Sequence, residues 1–555
     1  MENVVVRLFL KSRIRVQRVL PTGRSASAKC RFNPLLNVPA RPFLAMVSSM
    51  TASKNGGNAE SPAYGQRAAL WIAGWTVFRL WFCTTFELAG DEAYYWLWSK
   101  RLDMSYFSKG PGVAWTIALG TRLFGDTVLG VRFFSVLLSA GTGAALYFLG
   151  CRLFSARIGF WTVVVASFVP LLLVGSVLMT IDPLSVFFWM LTANVFWKAK
   201  DTDRLPFWGL AGVFVGLGAL CKYTNLAQIP AFAFFCACSR EHRHHLLRPT
   251  FWCMTLVALV CLTPVVLWNL QHQGVTWAHL IERGALDRPW RLAPAEFLEF
   301  LAGQALVVFP LFFIGMLASL FAHDIREVWP AQVRYLEALF WPLFGFYAVL
   351  ALNRAGPPNW TAPSLVCGLV LMTADWTLRT AQSHWAARVA ATTLVLAALT
   401  AAIILILSFL PLPMKRDPFV RVRGSRDLAV QVAEFCDRHG AEFVIAQNYQ
   451  DASLLSFYLP GHPTVFMPNT RQIRSQFALW PGYGRAYRGR NAVYVAKHRP
   501  ELPQSLRAEF ESIEPAVEVE SRFRGQPVRK YYLYLCRSFL GVQDAQVNTS
   551  AKHAH

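Results

Sequence analysis

The segment GDEAYYWLWSKRLDMSYFSKGPGVAW, residues 90–115, sets two adjacent carboxylates, Asp91 and Glu92, directly before a block of aromatic side chains. It follows an apolar run broken only by Arg79. Adjacent acids in a loop are ordinarily just solvated. Here Tyr94, Tyr95, Trp96 and Trp98 come next, and such rings settle at a membrane–water interface. A carboxylate held there, partly out of water, is suited to take a proton from a hydroxyl. Consecutive residues on a helix point about 100° apart, so only one acid readily faces a shared site. Asp91 is the expected base and Glu92 its support.

A second acid, Asp182, stands in LMTIDPLSVFFW before Pro183. Asp before Pro is a good helix N-cap, and that alone would explain it. An ionisable group so close to hydrocarbon is equally a functional candidate. Two cations complete the set, Lys109 in SKGPG and Lys222 in GLGALCKYTN. A lysine at a helix end can simply snorkel. Two ammoniums at a membrane-level cleft would instead suit a phosphate, and Gly110 and Gly112 let the backbone come close to a ligand. The rigid turn Gly356-Pro357-Pro358-Asn359-Trp360 ends in an amide and an indole, suited to loop closure or to stacking on a sugar. Tyr94, Tyr95, Asn359 and Trp360 join Lys109 and Lys222 as candidate substrate-binding residues.

These residues need a membrane-embedded scaffold. The 555 residues are 54% hydrophobic and 15% charged, and the mean hydropathy is +0.34; that composition belongs to an integral membrane protein. Spanning takes about 20 apolar residues. Candidates are 68–86, 128–154, 158–178, 183–197, 207–221, 226–238, 251–270, 297–321, 336–352, 361–376 and 387–410, an α-helical polytopic bundle of about eleven spans within residues 67–411. Residues 113–124 are too short to cross and are expected to lie at the interface.

With the amino terminus inside, one set of loops holds Arg152 and Arg157, Lys198, Lys200 and Arg204, Arg240, Arg243 and Arg248, Arg326 and Arg334, and Arg379 and Arg388. The short loops of the other set hold Lys222 alone or Arg354 alone. The positive-inside rule therefore sends Asp91, Asp182, Lys222, the 353–360 turn and the carboxyl-terminal region to one, non-cytoplasmic face. The net charge of +22 comes from short loops rather than a continuous basic stripe, so topology accounts for it and nucleic acid is not an expected partner.

From about Lys415 the pattern changes to helices and strands in alternation: RDLAVQVAEFCDRHG helix, AEFVIAQNY strand, QDASLLSFYLPG helix, TVFMPN strand, then NAVYVAKH and RKYYLYLCRSF. Residues 415–542 are expected to form a small extracytoplasmic α/β domain, with a polar, disordered tail at 543–555. Cys436 and Cys536 either pair there or stay as thiols. Residues 1–66 form a basic extension, with nine Lys and Arg before residue 45 against Glu2 alone; they resemble a transit peptide in composition, or lie upstream of a true start at Met46 or Met50.

The order DEAYYW, SYFSKGPGVAW, GVRFFSVL, IDPLSVFFW and GLGALCKYTN resembles the GT-C type glycosyltransferases that use polyprenyl-phosphate sugars. That family includes the protein O-mannosyltransferases and the lipid A aminoarabinose transferases. The resemblance covers roughly residues 68–376, and NYQDASLLSFYLPG is similar to the family's extracytoplasmic domain. It implies a sugar moved from a polyprenyl-phosphate donor to a hydroxyl of a lipid, glycan or protein, with inversion, at the outer face of a membrane, a bacterial plasma membrane being the expected one. Asp91 then resembles the catalytic acid, Glu92 its partner, and Asp182 the second acid. Asp91 and Asp182 are the expected ligands if a divalent metal takes part. Lys109 and Lys222 resemble the phosphate-side cations. Relatives carry His-Pro-Pro or Lys-Pro where this chain has Lys-Gly-Pro-Gly. The competing expectation, a lipid or sugar transporter, calls for internal repeats and helices broken at midplane; no repeat is apparent.

Overall fold

A computed structural model describes residues 60–284, 287, 289–412, 417–469, 472–497 and 502–541, all within one unit, Met50–His555. The basic extension up to residue 59, the tail beyond 541 and the junction at Lys415 lie outside the described residues. Of the expected extension, residues 60–66 belong to the first helix.

The helices in chain order are α1 (Glu60–Phe82), α2 (Gly90–Ser99), α3 (Gly112–Phe124), α4 (Val128–Leu153), α5 (Ala156–Ser167), α6 (Pro170–Gly175), α7 (Ile181–Thr202), α8 (Leu205–Cys221) and α9 (Gln228–Cys238). They continue with α10 (Pro249–Cys261), α11 (Thr263–Gln271), α12 (Val275–Arg283), α13 (Pro294–Val308), α14 (Pro310–Leu320), α15 (His323–Val328), α16 (Pro330–Ala351), α17 (Ala362–Gln382) and α18 (His384–Phe409). Among the described residues four helices are long and apolar enough to cross a bilayer: α4, α16, α18 and Pro358–Gln382, a 3-10 turn running into α17. Two bent pairs raise this to six, α10 with α11 (41°) and α13 with α14 (107°).

The difference from eleven uniform spans is partly a matter of proline, which removes a helical donor and clashes with the preceding turn. The stretch 158–178 breaks before Pro170. The stretch 297–321 breaks at Phe309, whose φ of +87° is paired with Pro310. The short helix α3, 13 residues, matches the expected interfacial segment in extent.

A five-stranded sheet follows: β1 (Phe443–Ala446), β2 (Ala492–Ala496), β3 (Phe510–Ile513), β4 (Val517–Phe523) and β5 (Gln526–Phe539). β1 and β2 are parallel; β2, β3 and β4 pair antiparallel with the long β5. Side-chain alternation splits its residues between two cores. Val444, Val493 and Leu533 pack under α19 (Ser425–His439) and α20 (Tyr449–Tyr458), while Ile445, Tyr494 and Tyr534 fill the opposite face. The expected strand at TVFMPN is reduced to one bridge, Ile445 to Phe466. Cys436 and Cys536 are both free thiols.

α2 lies where bundle and sheet domain meet. Its Tyr94, Tyr95, Trp96 and Trp98 share one core with Ile181, Leu184, Leu454 and Phe457. The backbone N–H of Gln476 donates to Tyr94 Oη at 2.6 Å, and Phe107 N–H donates to Gln476 Oε1 at 2.7 Å. Leu88 N–H donates to Tyr458 Oη, and Glu87 accepts from the amides of Ser425 and Arg426. The aromatic block expected to hold a loop on a membrane surface therefore holds it beneath a second domain.

Candidate active site

The first turn of α2 separates the two acids as the helical angle requires. Glu92 is fully buried. Its carboxylate receives Arg132 Nε at 2.8 Å and Nη2 at 2.6 Å, the amide of Met179 at 2.8 Å and that of Ala89 at 2.9 Å. Every lone pair it could offer a substrate is engaged, so Glu92 locks α2 to α4 and does not face the reacting centre. Asp91 points the other way. Its Oδ1 accepts from Tyr449 Oη at 3.2 Å and Gln450 Nε2 at 3.1 Å, both at the start of α20.

Asp182 is not the N-cap of α7. Thr180 fills that place, its Oγ1 accepting from the Asp182 amide. The freed carboxylate accepts from Lys222 Nζ at 2.7 Å on one oxygen and from Asn359 Nδ2 at 2.6 Å on the other. Lys222 Nζ also donates to the Asn359 carbonyl at 3.1 Å. The sequence placed Lys222 opposite a phosphate; the structure commits it to Asp182 and to the turn bearing Asn359.

Lys109 has no carboxylate within ion-pair distance among the described residues. Burial pushes its ammonium down to about 8, helped by the positive charges of Arg283 and Lys222 and opposed by Asp182 and Asp91. Both acids and both cations are therefore near enough to act on its charge. The neighbouring glycines serve helix packing rather than a ligand: a Cβ on Gly110 would stand 2.2 Å from the Leu220 carbonyl, and one on Gly112 would stand 2.4 Å from Cys221 Sγ. That close approach to the end of α8 brings Lys109 beside Lys222.

A cavity of about 960 Å³ opens next to this cluster, with Phe107, His279, Arg283, Tyr347, Trp360 and Arg474 in its wall. Arg283 lies over the Trp360 ring at 5.5 Å. Burial, then Lys109 and Arg283, press His279 down to about 4, so it is neutral at physiological pH. Tyr95 is buried, and burial followed by the charge of Asp91 raises its phenol; it is the tyrosine of the pair that faces the acids. Tyr94 is a tie to the sheet domain instead, its ring 4.6 Å from Tyr449 and its hydroxyl on Gln476.

Comparisons with known proteins bear on the fold and the family resemblance. Residues 108–268 match the family model described as dolichyl-phosphate-mannose-protein mannosyltransferase. The fold matches a crystal structure of ArnT from Cupriavidus metallidurans with a TM-score of 0.56 over 85% of this chain and 98% of that one, at 14% identity. In sequence over residues 108–268 and in fold the chain is similar to the GT-C glycosyltransferases. Its own long apolar helices, four to six among the described residues, make it a multi-pass membrane protein. The lipid A galacturonosyltransferase RgtD of Rhizobium johnstonii is 29% identical over 57% of this chain. The undecaprenyl phosphate-alpha-4-amino-4-deoxy-L-arabinose arabinosyl transferase of Pseudomonas aeruginosa is 31% identical over 24% of it. The chain spans 66% of the length of the first and 25% of the second.

A divalent ion between Asp91 and Asp182 does not fit the donor set. Asp182 spends one oxygen on an ammonium and the other on an amide, and no group of three or more His, Cys, Asp or Glu is gathered among the described residues. Sequence reasoning missed Arg132, which lies in the GVRFFSVL motif and holds Glu92, and Arg283 and His279, which lie on the short helix α12. Arg132 carried a usable signal, since a charge inside a candidate span is rarely idle.

Proposed function

We propose that this chain transfers a sugar from a polyprenyl-phosphate donor to an acceptor hydroxyl at the non-cytoplasmic face of a bacterial plasma membrane. The observation that carries the proposal is the gathering of Asp91, the Asp182–Lys222–Asn359 cluster and an unpaired Lys109 beside one cavity bearing Arg283. A sugar on a lipid phosphate already has a good leaving group, so the protein must supply a base for the nucleophile and positive charge for the phosphate.

In the reaction proposed, the acceptor hydroxyl gives its proton to Asp91 as its oxygen bonds the anomeric carbon. The bond from that carbon to the phosphate oxygen breaks, and its electron pair leaves with the phosphate. One displacement inverts the anomeric centre. Lys109 and Arg283 hold the departing phosphate, Trp360 and Tyr95 border the sugar, and Lys222 and Asn359 fix Asp182 beside it. No step uses a metal. The curated relatives, named for lipid A and for undecaprenyl phosphate, support a lipid-borne donor and favour a lipid acceptor over a glycan or protein. A relative of the same fold was crystallised with undecaprenyl phosphate.

The α/β domain is proposed to lie outside the cytoplasm, because it caps Asp91 from the face that the arginine-poor loops share. The count of eleven spans is proposed with the broken pairs and the shorter helices each counted as crossings.

Mass spectrometry of envelope lipids with and without the chain tests the function: one lipid species should lose a single sugar mass on deletion, and an unchanged lipid profile would remove the reading. A second expectation concerns pH. Lys109 in the free enzyme is charged below about 8 and loses its charge as pH rises through that value. The kcat/KM for donor should therefore fall on an alkaline limb near pH 8, approaching tenfold per pH unit. Lys109→Arg, whose guanidinium stays charged, should move that limb out of range. A limb unchanged in the arginine variant would assign it to another group.

A further inference from the structure

The proposed base is held from outside the bundle. Asp91 stands in the first turn of α2, and the two groups that donate to it come from the first turn of α20 in the sheet domain. Tyr449 Oη lies at 3.2 Å and Gln450 Nε2 at 3.1 Å, and both go to the same oxygen, Oδ1. Oδ2 has no hydrogen bond or ion pair among the described residues. Asp91 is half-buried, and Oδ2 is not one of the buried atoms left without a partner, so it is open to solvent. The last torsion of an aspartate is soft and nearly two-fold, and a carboxylate held by nothing would present either oxygen. Here one oxygen is pinned and the other is left for the substrate.

The turn that carries the donors is itself fixed. Asn448 caps α20, its Oδ1 accepting from the amides of Gln450 at 3.1 Å and Asp451 at 3.0 Å, while its Nδ2 donates to Asp451 Oδ2 at 2.6 Å. The Tyr449 ring rests 4.6 Å from that of Tyr94. Gln450 reaches Asp91 because residue 90 is a glycine. A Cβ there would stand 2.6 Å from Gln450 Cβ and 2.9 Å from its Cγ. Those atoms are the near end of the side chain, which could not give way without withdrawing the carboxamide.

Docking of the two domains does not require these bonds. It has contacts of its own, Tyr94 with Gln476, Leu88 with Tyr458 and Glu87 with Ser425. A docking contact gains nothing from two donors on one oxygen of a carboxylate and none on the other. We propose, resting on the reading of Asp91 as the base, that Tyr449 and Gln450 are positioning residues for the transfer: they hold Oδ1 so that Oδ2 meets the acceptor hydroxyl. The sheet domain is then a working part of the active site and not a cover over it. Loss of a donor has two opposed effects. It makes the carboxylate more basic, and it lets the carboxylate turn away from the hydroxyl. A misplacement of about 1 Å costs on the order of 10²-fold in rate, so the second effect wins.

The test uses the full chain in lipid nanodiscs, with the polyprenyl-phosphate lipids of wild-type cells as donor and the envelope lipids of deletion cells as acceptor. Mass spectrometry follows the return of the missing sugar. Tyr449→Phe keeps the ring against Tyr94 and loses only the hydroxyl; Gln450→Met keeps the chain against Gly90 and loses the amide. Each should melt as wild type does and lower kcat about 10-fold, the scale of one hydrogen bond to a charged group, with the KM for donor within about twofold. The same two substitutions made in an Asp91→Asn chain should change its residual rate by less than about twofold, because no base is left to aim. A further 10-fold loss in that background would make Tyr449 and Gln450 docking residues, and wild-type rates in both single variants would make their bonds idle. Either result overturns the assignment and leaves the glycosyltransferase reading standing. An Asp91→Asn chain as fast as wild type removes the base and this inference with it, and no sugar returned by wild type removes the transferase reading as well.

Discussion

An Asp91→Asn chain should insert and fold as wild type does and transfer sugar about 10³-fold more slowly, within the range that one general base contributes. The substitution is clean because of what holds Asp91. Tyr449 and Gln450 both donate to Oδ1, and an asparagine keeps an acceptor oxygen for them while losing the ability to take a proton. Donor affinity should change little, since the phosphate is assigned to Lys109 and Arg283. The loss should therefore appear in kcat with KM nearly unchanged, the signature of an interaction made only as the bond forms. Asp91→Glu should be intermediate, because its longer side chain displaces the carboxylate from the Tyr449 and Gln450 donors. Transfer by Asp91→Asn at more than about a tenth of the wild-type rate would take Asp91 out of the mechanism.

How much of this site was legible in the sequence depends on the range over which each contact acts. The opposite orientation of Asp91 and Glu92 follows from the angle between neighbours on a helix, and the structure has it so. That Asp182, Lys222 and Asn359 share one face follows from counting spans and loop charges. What they do to one another does not. Lys222 and Asp182 are 40 residues apart and Asn359 lies 177 from Asp182, so their bonds exist only in the packed bundle. The same holds for Tyr449 and Gln450, more than 350 residues from Asp91. Their segment reads correctly as a helix, but periodicity says nothing of what its first turn touches. The breaks before Pro170 and at Pro310 were visible as prolines within apolar runs, and counting hydropathy alone passed over them. The paired strands β3 and β4 were missed because ESI and VEVESRF alternate too little apolar character to stand out; their pairing comes from the neighbouring β5.

Removing either member of the Glu92–Arg132 pair should destabilise the protein by about 3–5 kcal/mol, the cost of leaving one charge buried and unpaired. Both side chains are wholly inaccessible, so water cannot take the place of the lost partner. Arg132 also gathers the carbonyls of Cys83, Phe86 and Glu87, the stretch that turns the chain from α1 into α2. Arg132→Met should therefore release that turn as well as strand the carboxylate, and it should be the more damaging of the two. Glu92→Gln keeps an amide oxygen for the Met179 and Ala89 donors and should lie toward the lower end. Thermal melting in detergent reads the effect, and a cycle with the double variant should show the two losses adding to clearly more than their combination. Sugar transfer should fall in step with stability in both variants, because α2 carries Asp91 and loses its anchor to α4. A Glu92→Gln chain that melts as wild type does and yet transfers no sugar would return Glu92 to the chemistry. Its four engaged hydrogen bonds argue that the melting curve will move first.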